Sequence, residues 1–416
     1  QTAVVGKWHL TSDPTGFDYW NILIGQGDYY NPYFIDNGEK KQIEGYATNI
    51  TTDLALDWLD NKRDKNKPFC LLLHHKAPHR TWMPDTCDLD LYEDVVYPVP
   101  ETFYDKYEGR IAASEQEMNI IKDMDLVYDL KMADKENEIH TTTGLEENGR
   151  NLYNRMTPAQ KAAWDKHYDP IIKKFKEQKL TGKALAEWKY QQYMHDYMRV
   201  IHSVDRNVGR VLDYMEKSGL LENTIIVYTS DQGFYMGEHG WFDKRFMYEE
   251  CQRMPLVIRY PKAIKAGSVS SAIAMNVDFA PTLLDFAGVD IPADIQGQSL
   301  RTILENGGKT PADWRKAAYY HYYEYPAEHS VKRHYGIRTA DFKLIHFYND
   351  VDEWEMYDLK NDPSELNSVF GKPEYADKQA ELISLLKKIQ KQYKDDDPDE
   401  KVKELFKGDR RLMKNR

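Results

Sequence analysis

Three apolar segments of this sequence end in side chains that could bind an anion, move a proton or hold a metal. These side chains are Lys7 and His9 after residues 3–5, His74, His75, Lys76 and His79 after residues 69–73, and Asp231, Gln232 and Lys244 after residues 225–228. Short, continuous apolar segments predict strands that are covered on both faces of a sheet. Ligands of open α/β sheets bind beyond the carboxyl ends of the strands, so these groups converge on one cleft if the strands share a sheet.

The side-chain types in this set favour the hydrolysis of a sulfate or phosphate ester. Asp231 and Gln232 offer hard oxygen ligands, which suit Ca²⁺ or Mg²⁺. Lysine supplies a point positive charge for a tetrahedral oxyanion, and histidine moves protons near neutral pH. The sequence contains no His-Glu-x-x-His segment and no P-loop, which argues against a zinc peptidase and against nucleotide-driven phosphoryl transfer.

Alternating strand and helix patterns indicate how these side chains are positioned. Helical patterns cover about residues 51–61, 186–215 and 278–286, between the apolar segments. This alternation predicts an α/β domain with a mainly parallel sheet sandwiched by helices. Residues about 130–185 are polar, which predicts a helical insertion at the surface. From residue 317, short aromatic segments and a final helical pattern predict a smaller antiparallel sheet with a helix. We therefore expect an α/β domain over residues 1–316 and a C-terminal subdomain over residues 317–416.

The overall composition excludes two classes of partner. The 416 residues include 56 Lys and Arg against 68 Asp and Glu, which gives a net charge of −12. A chain that coats nucleic acid or an anionic membrane needs a positive field instead. Apolar residues make up 41% of the sequence, enough for a large core, and no apolar segment approaches the roughly 18–20 residues of a transmembrane helix.

Four segments of the chain have the amino-acid sequences and the order that are found in one enzyme family. They are residues 6–10 (Gly-Lys-Trp-His-Leu), residues 76–79 (Lys-Ala-Pro-His), residues 231–244 (Asp-Gln-Gly and Gly-Glu-His-Gly before Lys244) and residues 357–367. Together they resemble the type I, formylglycine-dependent sulfatases. The sequence of residues 243–250 is similar to the corresponding segment of bacterial sulfatases of the N-acetylglucosamine-6-sulfatase type, which act on host glycans. The resemblance implies the alkaline-phosphatase-like fold.

The resemblance also implies roles for four catalytic side chains. Lys7 and Lys244 would clamp the sulfate group. His9 would take a proton from the hydrated formylglycine and so expel sulfate. His79 would bind sulfate and protonate the leaving sugar oxygen.

The metal and the nucleophile are implied in the same way. Asp231 and Gln232 would ligate Ca²⁺, with Mg²⁺ as the alternative; many relatives carry Asn where this chain has Gln232. The family's formylglycine is made from Cys or Ser in a Cys-x-Pro/Ala-x-Arg motif, and none of Cys70, Cys87 and Cys251 lies in one. Three cysteines are also too few for a disulfide framework.

The start of the sequence suggests that part of the site lies upstream. An apolar strand pattern begins at residue 3 with neither Met nor a signal segment before it. We expect the formylglycine and the family's paired metal-binding Asp residues in a missing N-terminal part. The chain alone would then lack sulfatase activity, bind Ca²⁺ poorly and leave an exposed sheet edge.

The expected function is a sulfuric ester hydrolase that removes sulfate from a carbohydrate, an amino-sugar 6-O-sulfate of a host glycan or glycosaminoglycan. Residues 320–325 and 329–334 are aromatic or His-rich and are candidates for sugar contacts, although strand packing explains them equally well. Two alternatives remain: a phosphodiesterase or phosphonate-ester hydrolase of the same fold, and a catalytically dead glycan-binding protein. Relatives are exported, so we expect a periplasmic or secreted protein.

Overall fold

The computed structural model describes residues 1–141 and 143–395 and divides the chain into two compact units. The first unit contains residues 1–99 and 120–221, and the second contains residues 100–119 and the chain from residue 222 onward. The predicted boundary at residue 316 therefore falls inside the second unit. The acidic and basic tail after Asp395 lies outside the described residues.

The strands and helices of the described chain have the following bounds. The strands are β1 (Thr2–Lys7), β2 (Tyr19–Leu23), β3 (Tyr33–Asp36), β4 (Glu39–Gln42), β5 (Cys70–His74), β6 (Ile226–Thr229), β7 (Tyr235–Met236), β8 (Phe242–Asp243), β9 (Leu256–Arg259), β10 (Ala317–Tyr322), β11 (His334–Thr339), β12 (Phe342–Phe347) and β13 (Glu353–Asp358). The α-helices are α1 (Ala47–Asp57), α2 (Ile111–Ser114), α3 (Glu146–Asn154), α4 (Pro158–Gln178), α5 (Gly182–Lys217), α6 (Glu249–Gln252), α7 (Phe279–Phe286), α8 (Arg301–Glu305) and α9 (Ala376–Tyr393).

The first unit is built on a five-stranded sheet with the order β4-β3-β2-β1-β5. β1 runs parallel to both β2 and β5, whereas β2, β3 and β4 pair antiparallel. The sheet is therefore mixed rather than mainly parallel. The reason is the β3–β4 hairpin, whose Asn37-Gly38 turn has positive φ at both residues (45° and 96°), as a tight hairpin turn requires.

Helices α1 and α5 cover one face of this sheet. Ala3 and Val5 of β1 pack in one apolar cluster with Ala55 of α1 and Met215 of α5. The predicted insertion is helical, as α3 and α4 show. α4 begins with a capping box in which Thr157 accepts from the Gln160 N–H, and a Pro follows Thr157 at the first helical position.

The described part of the second unit holds three separate antiparallel sheets: β10-β11-β12-β13, β6-β9 and β7-β8. The sheet β10-β11-β12-β13 carries α9 on one face, where Leu382 and Leu386 contact Ile337, Leu344 and Met356. This matches the antiparallel sheet and helix predicted from residue 317. A second cluster of buried hydrophobic side chains comes from these strands and from residues 235–251. It includes Tyr235, Trp241, Phe246, Tyr248, Ile345 and Tyr357.

The pairing of β6 differs from the sequence prediction. β6 pairs antiparallel with β9, with Val227 opposite Ile258, and the two strands form a sheet of their own. The condition that all three strands share one sheet is therefore met by β1 and β5 but not by β6 within the described chain. The intervening segment folds back because the Gly233 N–H donates to the oxygen of Cys251 (2.6 Å).

No helix among residues 1–141 and 143–395 is both long and apolar enough to cross a membrane.

Candidate active site

Lys7 is the last residue of β1 and His74 is the last residue of β5, so both lie at the carboxyl ends of strands in the first unit's sheet. β1 and β5 are parallel, with Gly6 opposite His74, so the residues that follow both strands share one side of the sheet. The Nδ1 atom of His74 lies 3.2 Å from the main-chain oxygen of Lys7. This part of the sequence prediction is confirmed, because two of the three polar groups do follow neighbouring parallel strands.

Gly6 is required for this close approach of the two strands. Its φ is +107°, and a Cβ atom there would lie 1.9 Å from the main-chain oxygen of His74. No other residue type fits both the conformation and the space. Two residues beyond Lys7, His9 has φ +51° and an exposed side chain. The left-handed backbone at His9 turns the chain sharply just after the strand.

His79 is held in one orientation by its own loop. Its Nδ1 atom lies 3.0 Å from the main-chain oxygen of Arg80, so Nδ1 is the protonated donor. The backbone is fixed by its N–H bond to Lys76 (3.0 Å) and by the Tyr29 hydroxyl, which donates to the His79 oxygen at 2.6 Å. With the proton on Nδ1, Nε2 is the nitrogen that can exchange a proton with a ligand. This geometry suits the predicted role of a proton donor to a leaving oxygen.

The neighbouring His75 and Lys76 side chains are packed against other parts of the protein. Burial lowers the pKa of His75 to about 4, and neither ring nitrogen makes a hydrogen bond within the described chain. Lys76 is 6% exposed; its Nζ atom lies 4.7 Å from the centre of the Tyr29 ring and donates to the oxygen of Arg80 at 3.4 Å. Lys76 is therefore packed under the loop rather than exposed at a rim.

Asp231 and Gln232 follow β6 in the second unit. Asp231 is exposed, and its Oδ1 atom accepts hydrogen bonds from the Gln232 N–H (3.1 Å) and the Ser230 hydroxyl (3.3 Å). Gly233 comes next and packs directly against the backbone of α6, where a Cβ atom would lie 2.0 Å from the oxygen of Glu250. These contacts fix the start of a loop whose first two side chains are a carboxylate and an amide.

The donor set of these two residues fits a hard cation. Ca²⁺ and Mg²⁺ bind carboxylate and amide oxygens, and Asp231 and Gln232 offer one of each on successive residues. Ca²⁺ takes six to eight oxygen ligands, so these two residues can supply only part of a coordination shell. The chemistry of the donors is therefore compatible with the predicted calcium ligands.

Lys244 is oriented by a buried acid beside it. Its Nζ atom lies 3.2 Å from Oδ1 of Asp243, and the Phe234 ring lies beneath it at 5.7 Å. Asp243 is 2% exposed. Burial alone raises the pKa of this carboxyl, but the charge of Lys244 and the His329 hydrogen bond outweigh it and hold the pKa well below its usual range. Lys244 is thus a charged, partly enclosed amine with a fixed direction.

His329 and Arg245 complete this cluster and were missed as partners by the sequence analysis. The Nε2 atom of His329 lies 2.9 Å from Oδ2 of Asp243, and its Nδ1 atom lies 2.7 Å from the oxygen of Glu117. Arg245 NH1 is 3.1 Å from the same carboxylate. Asp243 and His329 stand 86 positions apart, and no local pattern links them; only their left-handed backbones (φ +71° and +64°) mark them as unusual in the structure.

His239, another candidate in this segment, has a structural position. It is fully buried, with Nδ1 2.9 Å from Oδ2 of Asp105. Its N–H donates to the Thr102 hydroxyl at 3.0 Å. Arg110 binds the same Asp105 carboxylate through both oxygens, each at 2.7 Å. His239 therefore fixes the loop between β7 and β8 rather than facing a ligand.

Two protein-family models match the chain. The model described as "Sulfatase" matches residues 1–289. The model described as "N-sulphoglucosamine sulphohydrolase, C-terminal" matches residues 237–392. Together the two matched ranges include the strands that carry the predicted site residues and the C-terminal antiparallel sheet with its helix.

Curated relatives carry sulfatase names. An N-acetylglucosamine-6-O-sulfatase of Bacteroides thetaiotaomicron is 63% identical over 420 aligned residues, which cover 100% of this chain and 75% of the relative. An arylsulfatase of Clostridium perfringens is 28% identical over 83% of this chain and 57% of the relative. The chain therefore spans about three quarters of the first relative and little more than half of the second.

Solved structures give the same fold. A protein in complex with its substrate D-glucosamine-2-N,6-O-disulfate superposes with a TM-score of 0.92 and 62% identity, over 96% of this chain and 81% of that one. A phosphonate monoester hydrolase from Silicibacter pomeroyi superposes with a TM-score of 0.57 at 22% identity, over 83% of this chain and 60% of that one. The predicted alkaline-phosphatase-like fold is confirmed, and the second match shows the fold alone.

Proposed function

Because the chain belongs to the sulfatase family of sulfuric ester hydrolases, we propose that it acts on the 6-O-sulfate ester of an amino sugar. The observation that carries this proposal is the 63% identity, over the whole chain, with an N-acetylglucosamine-6-O-sulfatase. The solved structure with 62% identity, in complex with D-glucosamine-2-N,6-O-disulfate, supports an amino sugar that carries a 6-O-sulfate. The physiological substrate we propose is a sulfated host glycan or glycosaminoglycan.

The charged groups of the chain suit a sulfate ester. Lys7, at the end of β1, and Lys244, beside Asp243, would each offer an ammonium group to a sulfate oxygen. His79 holds its proton on Nδ1, so Nε2 would bind sulfate and, when protonated, deliver that proton to the leaving sugar oxygen. His9, exposed after the turn that follows β1, would accept a proton as sulfate departs.

Asp231 and Gln232 would hold the metal that the family requires. Calcium, where it is bound, supplies positive charge for a sulfate oxygen. Two donors make a weak site on their own, so we expect these residues to bind Ca²⁺ poorly without further ligands. The nucleophile expected of the family is not among the three cysteines, none of which lies in the Cys-x-Pro/Ala-x-Arg motif. We accordingly propose that these 416 residues bind the sulfated sugar but do not hydrolyse it unaided. Export to the periplasm or the cell exterior is part of the same proposal.

The proposal is tested by calorimetric binding of N-acetylglucosamine 6-sulfate to the chain. We expect Lys7→Ala and Lys244→Ala each to weaken binding by about tenfold to a hundredfold, since a hydrogen bond to a charged group contributes about 1.5–3 kcal/mol. Lys65→Ala and Lys309→Ala, which change exposed lysines in the first and second units, should leave the affinity unchanged.

Two results would count against the proposal. Unchanged affinity in both Lys7→Ala and Lys244→Ala would remove these residues from sulfate binding. Release of inorganic sulfate by the 416 residues would contradict the proposal that they do not hydrolyse the ester unaided.

A further inference from the structure

A second group of potential metal ligands lies in the first unit. Asp90 and Glu93 belong to a turn-rich segment at residues 85–96, and His167 lies on α4. The Nδ1 atom of His167 is 3.8 Å from Oδ1 of Asp90 and 3.7 Å from Oε1 of Glu93. All three potential ligand atoms lie within 4.8 Å of one another.

The His167 side chain is buried yet makes no hydrogen bond. Only 5% of it is exposed, and Nε2 has no partner within the described chain. The Nδ1 contacts to Asp90 and Glu93 are too long for hydrogen bonds. Buried polar groups are almost always hydrogen-bonded. Here Nδ1, the nitrogen that faces the two carboxylates, makes no hydrogen bond to them, which points to a missing partner at that nitrogen, while the unpartnered Nε2 lies on the far side of the ring. Burial, together with the nearby Arg199, lowers the pKa of His167, which favours the neutral form that binds metals.

The segment that carries the two acids is anchored on its other side. Arg199 of α5 donates from Nε to the oxygen of Leu91 at 2.9 Å. His195 Nε2 lies 2.9 Å from the oxygen of Val95, and His202 Nδ1 lies 3.3 Å from the hydroxyl of Tyr92. Two of these contacts hold backbone oxygens, one at Leu91 between the two acids and one at Val95 after Glu93, and the third holds the Tyr92 side chain.

We propose that Asp90, Glu93 and His167 form a binding site for a divalent transition-metal ion such as Zn²⁺, which fastens residues 85–96 to α4. Tetrahedral zinc with ligands at about 2.1 Å places its ligand atoms about 3.4 Å apart. The observed 3.7 and 3.8 Å separations from His167 therefore need to shorten by only a few tenths of an ångström. A nitrogen with two carboxylates suits zinc better than calcium, which binds six to eight oxygens.

A neighbouring cluster is already bound by an arginine and provides the matched control. Asp85, Cys87 and Asp88 also lie close together, but Arg206 binds both acids, at 3.0 and 2.5 Å. Asn49 donates to Asp85 at 2.7 Å. Burial and the two acids raise the pKa of the Cys87 thiol to about 12, so the thiolate that a metal needs is absent at neutral pH.

The test is a calorimetric titration of the metal-free full chain with Zn²⁺, repeated on variants. We expect the double variant Asp90→Asn/Glu93→Gln to weaken Zn²⁺ binding by more than about tenfold. Both side chains are largely exposed, at 85% and 57%, so this variant should keep its fold. His167→Gln should weaken binding to a similar extent, and Cys87→Ser should have no effect. Excess Ca²⁺ should not displace the ion.

Three results would overturn the proposal. One is the absence of Zn²⁺ binding by the unmodified chain. Another is the same affinity and stoichiometry in the Asp90→Asn/Glu93→Gln variant, and the third is loss of binding in Cys87→Ser. Since none of these residues is assigned to sulfate binding, failure here leaves the proposed hydrolase function untouched.

Discussion

We expect Glu355 to give the second unit a pH-dependent stability. The side chain is fully buried, and its Oε2 atom accepts hydrogen bonds from the hydroxyls of Tyr248 (2.8 Å) and Tyr357 (2.7 Å). Its Oε1 atom has no hydrogen-bond partner within the described chain. Burial is the main cause that raises the pKa of Glu355 from 4.5 to about 7. Tyr248 stacks on Trp241, so this acid is bonded to a member of the buried aromatic cluster.

The raised pKa converts into a free energy of unfolding. The folded state holds the proton more tightly than the unfolded state, so the stabilisation is complete below pH 4.5 and is lost as pH rises to 7. Over that whole interval the change is about 3 kcal/mol, at about 1.4 kcal/mol per pKa unit. Glu355→Gln is neutral at every pH and keeps an acceptor for both hydroxyls. The variant should therefore gain about 2 kcal/mol relative to the natural sequence between pH 5.5 and pH 8.5.

The assay is urea unfolding at both pH values, followed by tryptophan fluorescence. Trp241, buried in the same cluster, reports on this region. Glu374→Gln, a change at an exposed position, is the matched control and should show no pH-dependent difference. If Glu355→Gln changes the free energy of unfolding equally at pH 5.5 and 8.5, the carboxyl does not titrate in this interval and the reasoning fails.

Two further predictions concern other positions. Gly6→Ala should lower the melting temperature, because the new Cβ would lie 1.9 Å from the main-chain oxygen of His74. The positive φ adds about 1–3 kcal/mol of backbone strain. An unchanged thermal unfolding curve would contradict this prediction. Lys343→Met should cost about 3–5 kcal/mol in denaturant unfolding, since fully buried Lys343 contacts Glu365 (2.7 Å) and Glu249 (3.0 Å) and its loss leaves Glu365 buried without a counter-charge. A loss below about 1 kcal/mol would show that these acids are protonated or solvated when the lysine is absent.

The sequence allowed the prediction of elements whose signal is local. Continuous apolar segments indicated β1 and β5. The apolar stripe along residues 186–215 indicated α5, because burial of one helix face leaves a clear periodicity. The hairpin β3–β4 was missed because β4 is fully exposed and carries no apolar alternation. Its Asn37-Gly38 pair was the available signal.

Pairings between distant residues could not be predicted. The antiparallel partner of β6 depends on how residues 230–255 fold back, and an apolar segment alone does not specify strand direction. The Asp243–His329 contact likewise arises from tertiary structure. The site residues could be predicted from sequence motifs. The contacts that orient Lys244 and His79 could be identified only from the three-dimensional structure.

The most direct measurement of the proposed activity is the selectivity of the chain among amino sugars. Calorimetry should compare N-acetylglucosamine 6-sulfate with N-acetylglucosamine 3-sulfate and with the unsulfated sugar. We expect the 6-sulfate to bind at least about tenfold more tightly than either of the others, because charge-assisted hydrogen bonds to a correctly placed sulfate contribute about 1.5–3 kcal/mol each. Equal affinity for the unsulfated sugar, or tighter binding of the 3-sulfate, would contradict the assignment of this chain to 6-O-sulfate recognition.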